Sequence, residues 1–199
     1  MPVIKHPAQR VAVLIDIQNL YHSAKNLYGK RVNFKEVLRV AIEQRQLVRS
    51  FAYVVYTETE EEQSFFHALE KLGIEIRVKD LQVFYGGMKK ADWDVGIAID
   101  GVRLANSVDV IILMSGDGDF IPLVEYLKNV GTQIEVVAFG KSASSKLQEA
   151  SDDFLDLSND PEQYLLNIKK PANDNSAERS SGSQKQKQES RPQKQSRAK

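Results

Sequence analysis

Six apolar runs punctuate the first 157 residues, and the strongest of them do not alternate. Val11-Ala12-Val13-Leu14-Ile15 and Val110-Ile111-Ile112-Leu113-Met114 are continuous, with no polar residue at every second position. A strand with one face in water must alternate, so a continuous run belongs to a strand covered on both faces, as in a parallel sheet. Between the runs lie segments of helical period. QNLYHSAKNLY stops at Gly29. Phe65, Phe66, Leu69 and Leu72 share one helical face within Glu60 to Leu72, and Gly73 follows. A glycine just past the last periodic residue is a usual helix stop.

The remaining segments fill the same alternation. Asn33 is placed to cap a helix, with Glu36 three residues on as in a capping box. FAYVVYT (51–57) and IEIRVK read as strands, and Gly86-Gly87 suits a tight hairpin turn. Val95 to Ala105 is apolar almost all round, which predicts a well-buried helix. DVIILMS (109–115) is a buried strand, DFIPLVEYLKNV a helix from Asp119, QIEVVAFG a strand, SASSKLQEASD a short helix and FLDL a final edge strand. Strands alternating with helices predict an α/β fold: a three-layer α/β/α sandwich with a mainly parallel central sheet.

Charge divides the chain. From Lys169 to Lys199 there are nine Lys/Arg and three Asp/Glu, a net +6, while the other 168 residues hold 18 Lys/Arg and 24 Asp/Glu, a net −6. The segment SSGSQKQKQESRPQKQSRAK lacks large apolar residues and predicts a disordered tail, because it has nothing to bury against its ordering entropy. It reads equally as a weak electrostatic tether to nucleic acid and as a solubilising tail. The predicted organisation is an N-terminal extension at 1–10, a domain at 11–160, and a linker and basic tail at 161–199. Deleting residues 171–199 is therefore expected to leave the melting temperature nearly unchanged; a large loss in a thermal melt would show that the tail is packed. Cysteine is absent, which fits a reducing cytoplasm. Neither a signal peptide nor a membrane-length apolar run is visible, so a cytoplasmic location is expected.

The acids carry the chemistry. Asp16 ends the first strand, and Met114 to Phe120 reads MSGDGDF, with Asp117 and Asp119 just beyond the strand at 109–115. In an open α/β sheet, ligands sit outside the carboxyl ends of the strands where strand order reverses. If the two strands are neighbours there, three carboxylates meet, and Asp94 is placed to face the same edge. Crowded carboxylates resist ionising unless a cation compensates, and hard divalent cations prefer oxygen ligands. Each acid also has a plainer reading. Asp119 can cap the following helix, Asp16 or Asn19 can cap the first, and Asp100 can be a hydrogen-bonded core acid. Trp93 reads more readily as core than as a stacking platform. A glycine-rich dinucleotide turn, a GxxxxGK[ST] loop, HExxH and GxSxG are all missing. Gln18 stands where an Asp-x-Asp phosphatase would need its second acid.

VLIDIQNLY, DVGIAIDGVRLA and VIILMSGDGDFIPLVEYLKNVG, in that order, resemble the NYN domain family, LabA-like branch, whose members are PIN-like nuclease domains. The resemblance covers about Val11 to Asn159. It implies an α/β/α sandwich of PIN-like type and a metal-dependent ribonuclease using Mg²⁺ or Mn²⁺, with RNA as the partner. Asp16, Asp94, Asp117 and Asp119 match the family acids and would be the catalytic and metal-holding residues. Asn19, Ser115 and Asp100 match the asparagine, the serine and the acid within the helix, in supporting or substrate-binding positions. The chain departs from the family at Lys90-Ala91-Asp92-Trp93-Asp94, where Asp92 is an extra acid; register favours Asp94. A non-catalytic RNA-binding or regulatory module on the same fold is the alternative, and a homo-oligomer is compatible with either.

Overall fold

The structure is a computed structural model that describes residues 3–56, 60–80, 82–83, 89–90 and 92–167. The expected Gly86-Gly87 turn and the expected disorder of the basic tail lie outside these residues. In chain order the elements are β1 (Arg10–Asp16), α1 (Ile17–Tyr28), β2 (Arg31–Val32), α2 (Phe34–Ile42), β3 (Gln46–Tyr56), α3 (Glu60–Glu70), β4 (Glu75–Asp80), β5 (Gln82–Val83), β6 (Lys89–Lys90) and α4 (Asp94–Leu104). They continue with β7 (Val110–Met114), a 3-10 turn (Gly118–Phe120), α5 (Ile121–Asn129), β8 (Gln133–Ala138), α6 (Ser145–Ala150), β9 (Asp153–Asp156), α7 (Pro161–Tyr164) and β10 (Leu165–Leu166).

Six strands form one sheet in the order β4-β3-β1-β7-β8-β9. Every neighbouring pair in it is parallel. β1 lies directly beside β7, with Val11 opposite Val110 and Ile15 opposite Met114. Strand order reverses at this pair, because the chain winds outward through β3 and β4 first and through β8 and β9 afterwards. The continuous apolar runs explain the layering. Val11, Val13 and Ile15 of β1 and Val110, Ile112 and Met114 of β7 face one core, with Leu20 and Ala24 of α1, Val37 of α2 and Leu69 of α3. Ala12, Leu14, Ile111 and Leu113 face a second core, with Ile97 of α4, Val124 and Leu127 of α5 and Leu147 of α6. Alternate residues of one strand thus serve opposite layers, and β7 and the Val11–Ile15 run of β1 are fully buried.

Local signals were followed with instructive exceptions. Gly29 and Gly73 take left-handed backbone at φ 62° and 78°, as their helix stops require. Asn33 caps α2 by accepting from the Glu36 N–H. The return half of the capping box is absent: the Asn33 N–H donates to the Tyr164 carbonyl at 2.8 Å, and the Glu36 carboxylate is taken by Arg39 and Gln163. A distant segment displaced the local bond, since β10 pairs antiparallel with β2. The described fold therefore continues through α7 and β10.

Two predicted features are corrected. α4 is not buried all round: Val95, Ile99 and Val102 are 72%, 47% and 40% exposed, and only Ile97, Gly101 and Leu104 are buried. A helix in an outer layer has one face on the sheet, and its apolar residues elsewhere stay in solvent. The helix expected from Asp119 begins at Ile121 instead, after a 3-10 turn, and Asp119 does not cap it.

Candidate active site at the strand-order reversal

The carboxyl ends of β1 and β7 are tied together by a short chain of hydrogen bonds. Asp16 is the last residue of β1 and caps α1, accepting the Asn19 N–H on Oδ1 at 3.1 Å. The Ser115 hydroxyl, fully buried just past β7, donates to Asp16 Oδ2 at 3.1 Å. Ser115 Oγ in turn accepts the Asp117 N–H at 3.2 Å. Asn19 closes the loop, its Oδ1 accepting the Gly116 N–H at 2.9 Å. Both Asp16 oxygens are thus held, and the carboxylate has a fixed orientation. The Ser115 hydroxyl and Asn19 Oδ1 are spent on this frame; they orient Asp16 and the Gly116-Asp117 backbone.

Charge concentrates on the same spot. Burial pushes the Asp16 carboxyl above its ordinary range, its hydrogen bonds to Asn19 and Ser115 pull the other way, and the charges of Asp94 and Asp117 push it further up. Asp94 opens α4, and Asp117 accepts the Asp119 N–H at 3.0 Å, capping the 3-10 turn. Asp119 is exposed; with Asp94 it lines an open cleft of about 340 Å³ between α4 and α5, whose apolar walls include Val95, Phe120 and Tyr126. Among the described residues, no three His, Cys, Asp or Glu side chains stand close enough to enclose a metal ion by themselves.

Asp100 is engaged elsewhere. It accepts the Tyr53 hydroxyl at 3.0 Å and faces Arg77 and Arg103 at 3.7 and 3.5 Å. Burial, followed by the Asp100 charge, pushes the Tyr53 phenol upward. This is the core-acid role, with cations added. Trp93 is likewise a packing residue: its ring lies 5.4 Å from that of Tyr53 and its Nε1–H donates to the Val54 carbonyl at 2.8 Å.

The glycines of the loop serve space rather than dihedral freedom. Neither Gly116 nor Gly118 has a positive φ. A Cβ on Gly116 would lie 2.9 Å from Ala143 Cα and 3.0 Å from Ala143 Cβ. The Gly116 carbonyl accepts the Ser144 N–H at 2.9 Å, so the segment before α6 clamps the acid loop. Gly116→Ala is therefore expected to cost about 1–3 kcal/mol, the usual scale of overpacking against backbone. A denaturant melt indistinguishable from wild type would show that the clamp yields freely. The sequence reading missed this role for Gly116 and Ala143, which depends on a contact between segments 27 residues apart.

The model of the NYN domain matches residues 10–158, which include both strand ends and all four acids. The chain belongs to the NYN domain family. The NYN domain is a PIN-like nuclease family, which supports a ribonuclease-type function for this member. The low amplitude and bright protein LabA of Synechococcus elongatus is similar to it, 29% identical over 170 residues, covering 81% of this chain and 90% of LabA. The crystal structure of a Vibrio parahaemolyticus protein of unknown function is also similar, with a TM-score of 0.75 and 29% identity, covering 82% of this chain and all of that one. Among the described residues of this NYN domain, no helix is long and apolar enough to cross a membrane.

Proposed function

We propose that this NYN domain is a divalent-metal-dependent endoribonuclease acting in the cytoplasm. The observation that supports it is the frame in which the Ser115 hydroxyl donates to Asp16 and accepts the Asp117 N–H, bringing the two acids together at the point where strand order reverses. A pure RNA binder gains nothing from carboxylates that repel phosphate. The donor set is hard oxygen and open to solvent on one side, which fits Mg²⁺ or Mn²⁺: Mg²⁺ usually takes only one or two carboxylates and keeps waters and substrate phosphates as its other ligands. Asp16, Asp94, Asp117 and Asp119 would hold the ion directly or through water. When bound, it would polarise the phosphodiester and make an attacking water more acidic.

The chain's own groups supply the positioning. Ser115 and Asn19 fix Asp16 before any ligand arrives, so no side-chain ordering is left to the reaction step. Ser115 also fixes the Asp117 N–H, which couples the two acids mechanically. The open side of the site leads into the cleft beside Asp119, giving an extended chain a route past the acids. A non-catalytic RNA-binding module is the second reading, favoured by the lack, among the described residues, of three donors already close enough to enclose an ion.

The test is incubation of the purified full chain with mixed RNA, in Mn²⁺ and in EDTA. Internal cleavage in Mn²⁺ that stops in EDTA is expected. Binding with no cleavage in any divalent cation would establish the second reading.

A further inference from the structure

A body with net charge −6 has to receive a polyanion somewhere. β3 and β4 carry the cations that can do it. Tyr53 lies opposite Arg77 and Val55 opposite Lys79 in the parallel register. Arg49, Phe51 and Tyr53 of β3 and Glu75, Arg77 and Lys79 of the edge strand β4 therefore share the sheet face that α4 covers. Arg103 extends the row from the last turn of α4. Arg49 is committed to Glu75, donating from Nε at 2.8 Å and from Nη2 at 2.5 Å, while Arg77 and Arg103 face Asp100 and Lys79 lies further along β4.

The cations are held in a state that phosphate can exploit. Arg49 and Arg77 both lie over the Phe51 ring, 4.6 Å from its centroid. Lys79 lies over the Trp93 ring at 5.6 Å and donates to the Asp92 carbonyl at 2.9 Å. Arg77 and Arg103 share a single carboxylate, Asp100, at 3.7 and 3.5 Å, longer than a good charge-assisted bond. Arg103 is 75% exposed and Arg77 43%. The ring contacts orient the guanidiniums, while the long shared pair leaves donors available for a bidentate phosphate contact. Arg77 and Lys79, two residues apart on one strand, stand roughly 7 Å from each other. The row ends at Lys79 and Trp93, next to Asp94, so it runs directly into the acid edge.

We infer that the row Arg103, Arg77 and Lys79 is a phosphate track for single-stranded RNA, leading the strand along the β4 edge beside α4 to the acids at the carboxyl ends. This rests on the ribonuclease reading for its substrate class. A single row of cations contacts the phosphates of one strand, and the arginine planes add stacking surfaces for unpaired bases.

The test uses the full chain in EDTA, where binding is read without cleavage, and a fluorescein-labelled single-stranded RNA 12-mer of mixed sequence. Arg77→Glu/Arg103→Glu is expected to weaken binding at least tenfold, and Arg77→Gln/Arg103→Gln several-fold. The salt slope should fall by about 0.7 for each lost contact. Lys35→Glu/Lys71→Glu, the same charge change at exposed positions on and near the helices of the opposite face, should bind close to wild type. Melting temperatures of the Gln variant and wild type should agree, which separates lost contacts from lost fold. Equal affinity for the track variants and wild type, an equal loss in the Lys35/Lys71 control, or no binding by wild type overturns the track. Equal affinity for a duplex 12-mer overturns its restriction to single strands. Loss of binding in the track variants together with no metal-dependent cleavage by wild type keeps the track and removes the nuclease reading.

Discussion

Asp16→Asn is expected to reduce metal-dependent RNA cleavage by about two orders of magnitude or more, the scale of removing a positioned charge-stabilising group, while leaving the fold intact. The two halves of this result have separate causes. The activity is lost because the site loses a carboxylate held in place by Asn19 and Ser115. The fold survives because an asparagine oxygen still accepts the Asn19 N–H, and the Ser115 hydroxyl can rotate to accept from the new amide. Neutralising one of three mutually repelling acids also relieves strain in the metal-free protein. Asp16→Ala differs: it removes the cap of α1 and strands a buried hydroxyl, at a cost of about 1–3 kcal/mol. The measurement is cleavage rate in Mn²⁺ beside thermal melts with and without Mn²⁺. Wild type should gain stability from the ion by mass action, and the variant less. Full activity in Asp16→Asn, with no metal-induced shift in wild type, would reduce Asp16 to a helix cap.

Glu135→Ala should produce the largest loss of stability from any single charged residue. At the opposite, amino end of the sheet, Glu135 of β8 takes both Arg45 Nη atoms, at 2.6 and 2.9 Å, and the two side chains are 5% and 1% exposed. Arg45 also donates to the Ile42 and Ala41 carbonyls. Removing the carboxylate leaves a buried guanidinium without its counter-charge, which costs about 3–5 kcal/mol. For a domain of this size that corresponds to a fall in melting temperature of roughly 10 °C. Replacing both partners by apolar residues, Arg45→Met with Glu135→Leu, should recover most of the loss, because the penalty lies in the unpaired charge. RNA cleavage should be unchanged at a temperature where both proteins are folded, since the pair lies across the sheet from the acids. A change below about 2 °C in Glu135→Ala would show that water reaches the pair.

The contrast between these two predictions also separates what was readable in the chain from what was not. Asp16 was legible because its position follows from local rules: a continuous apolar run ends there, and ligands gather at the carboxyl ends of parallel strands. Asp117 was legible for the same reason. Arg45 and Glu135 gave no signal, because they are 90 residues apart and neither belongs to a motif. Asp100 had a correct plain reading as a core acid, but its partners Tyr53 and Arg77 come from β3 and β4, so the row of cations around it was invisible in the linear order.

The sequence alone determined the elements whose causes are local. Continuous apolar runs required strands buried on both faces, Gly29 and Gly73 stopped their helices, and a strand–helix alternation implied parallel pairing with helices on either side. Only the tertiary structure decided matters that depend on which segments become neighbours. It turned the Glu36 carboxylate away from a capping box towards Arg39 and Gln163, and left Val95, Ile99 and Val102 of α4 in solvent. It made Gly116 a point of close approach to Ala143 and gave Ser115 the task of holding Asp16. Hydrophobic period and turn chemistry act within about a dozen residues, so they are written in the chain. Hydrogen-bond competition, one-sided burial and the pairing of distant charges arise only when the layers close, and those are the interactions that orient the acids.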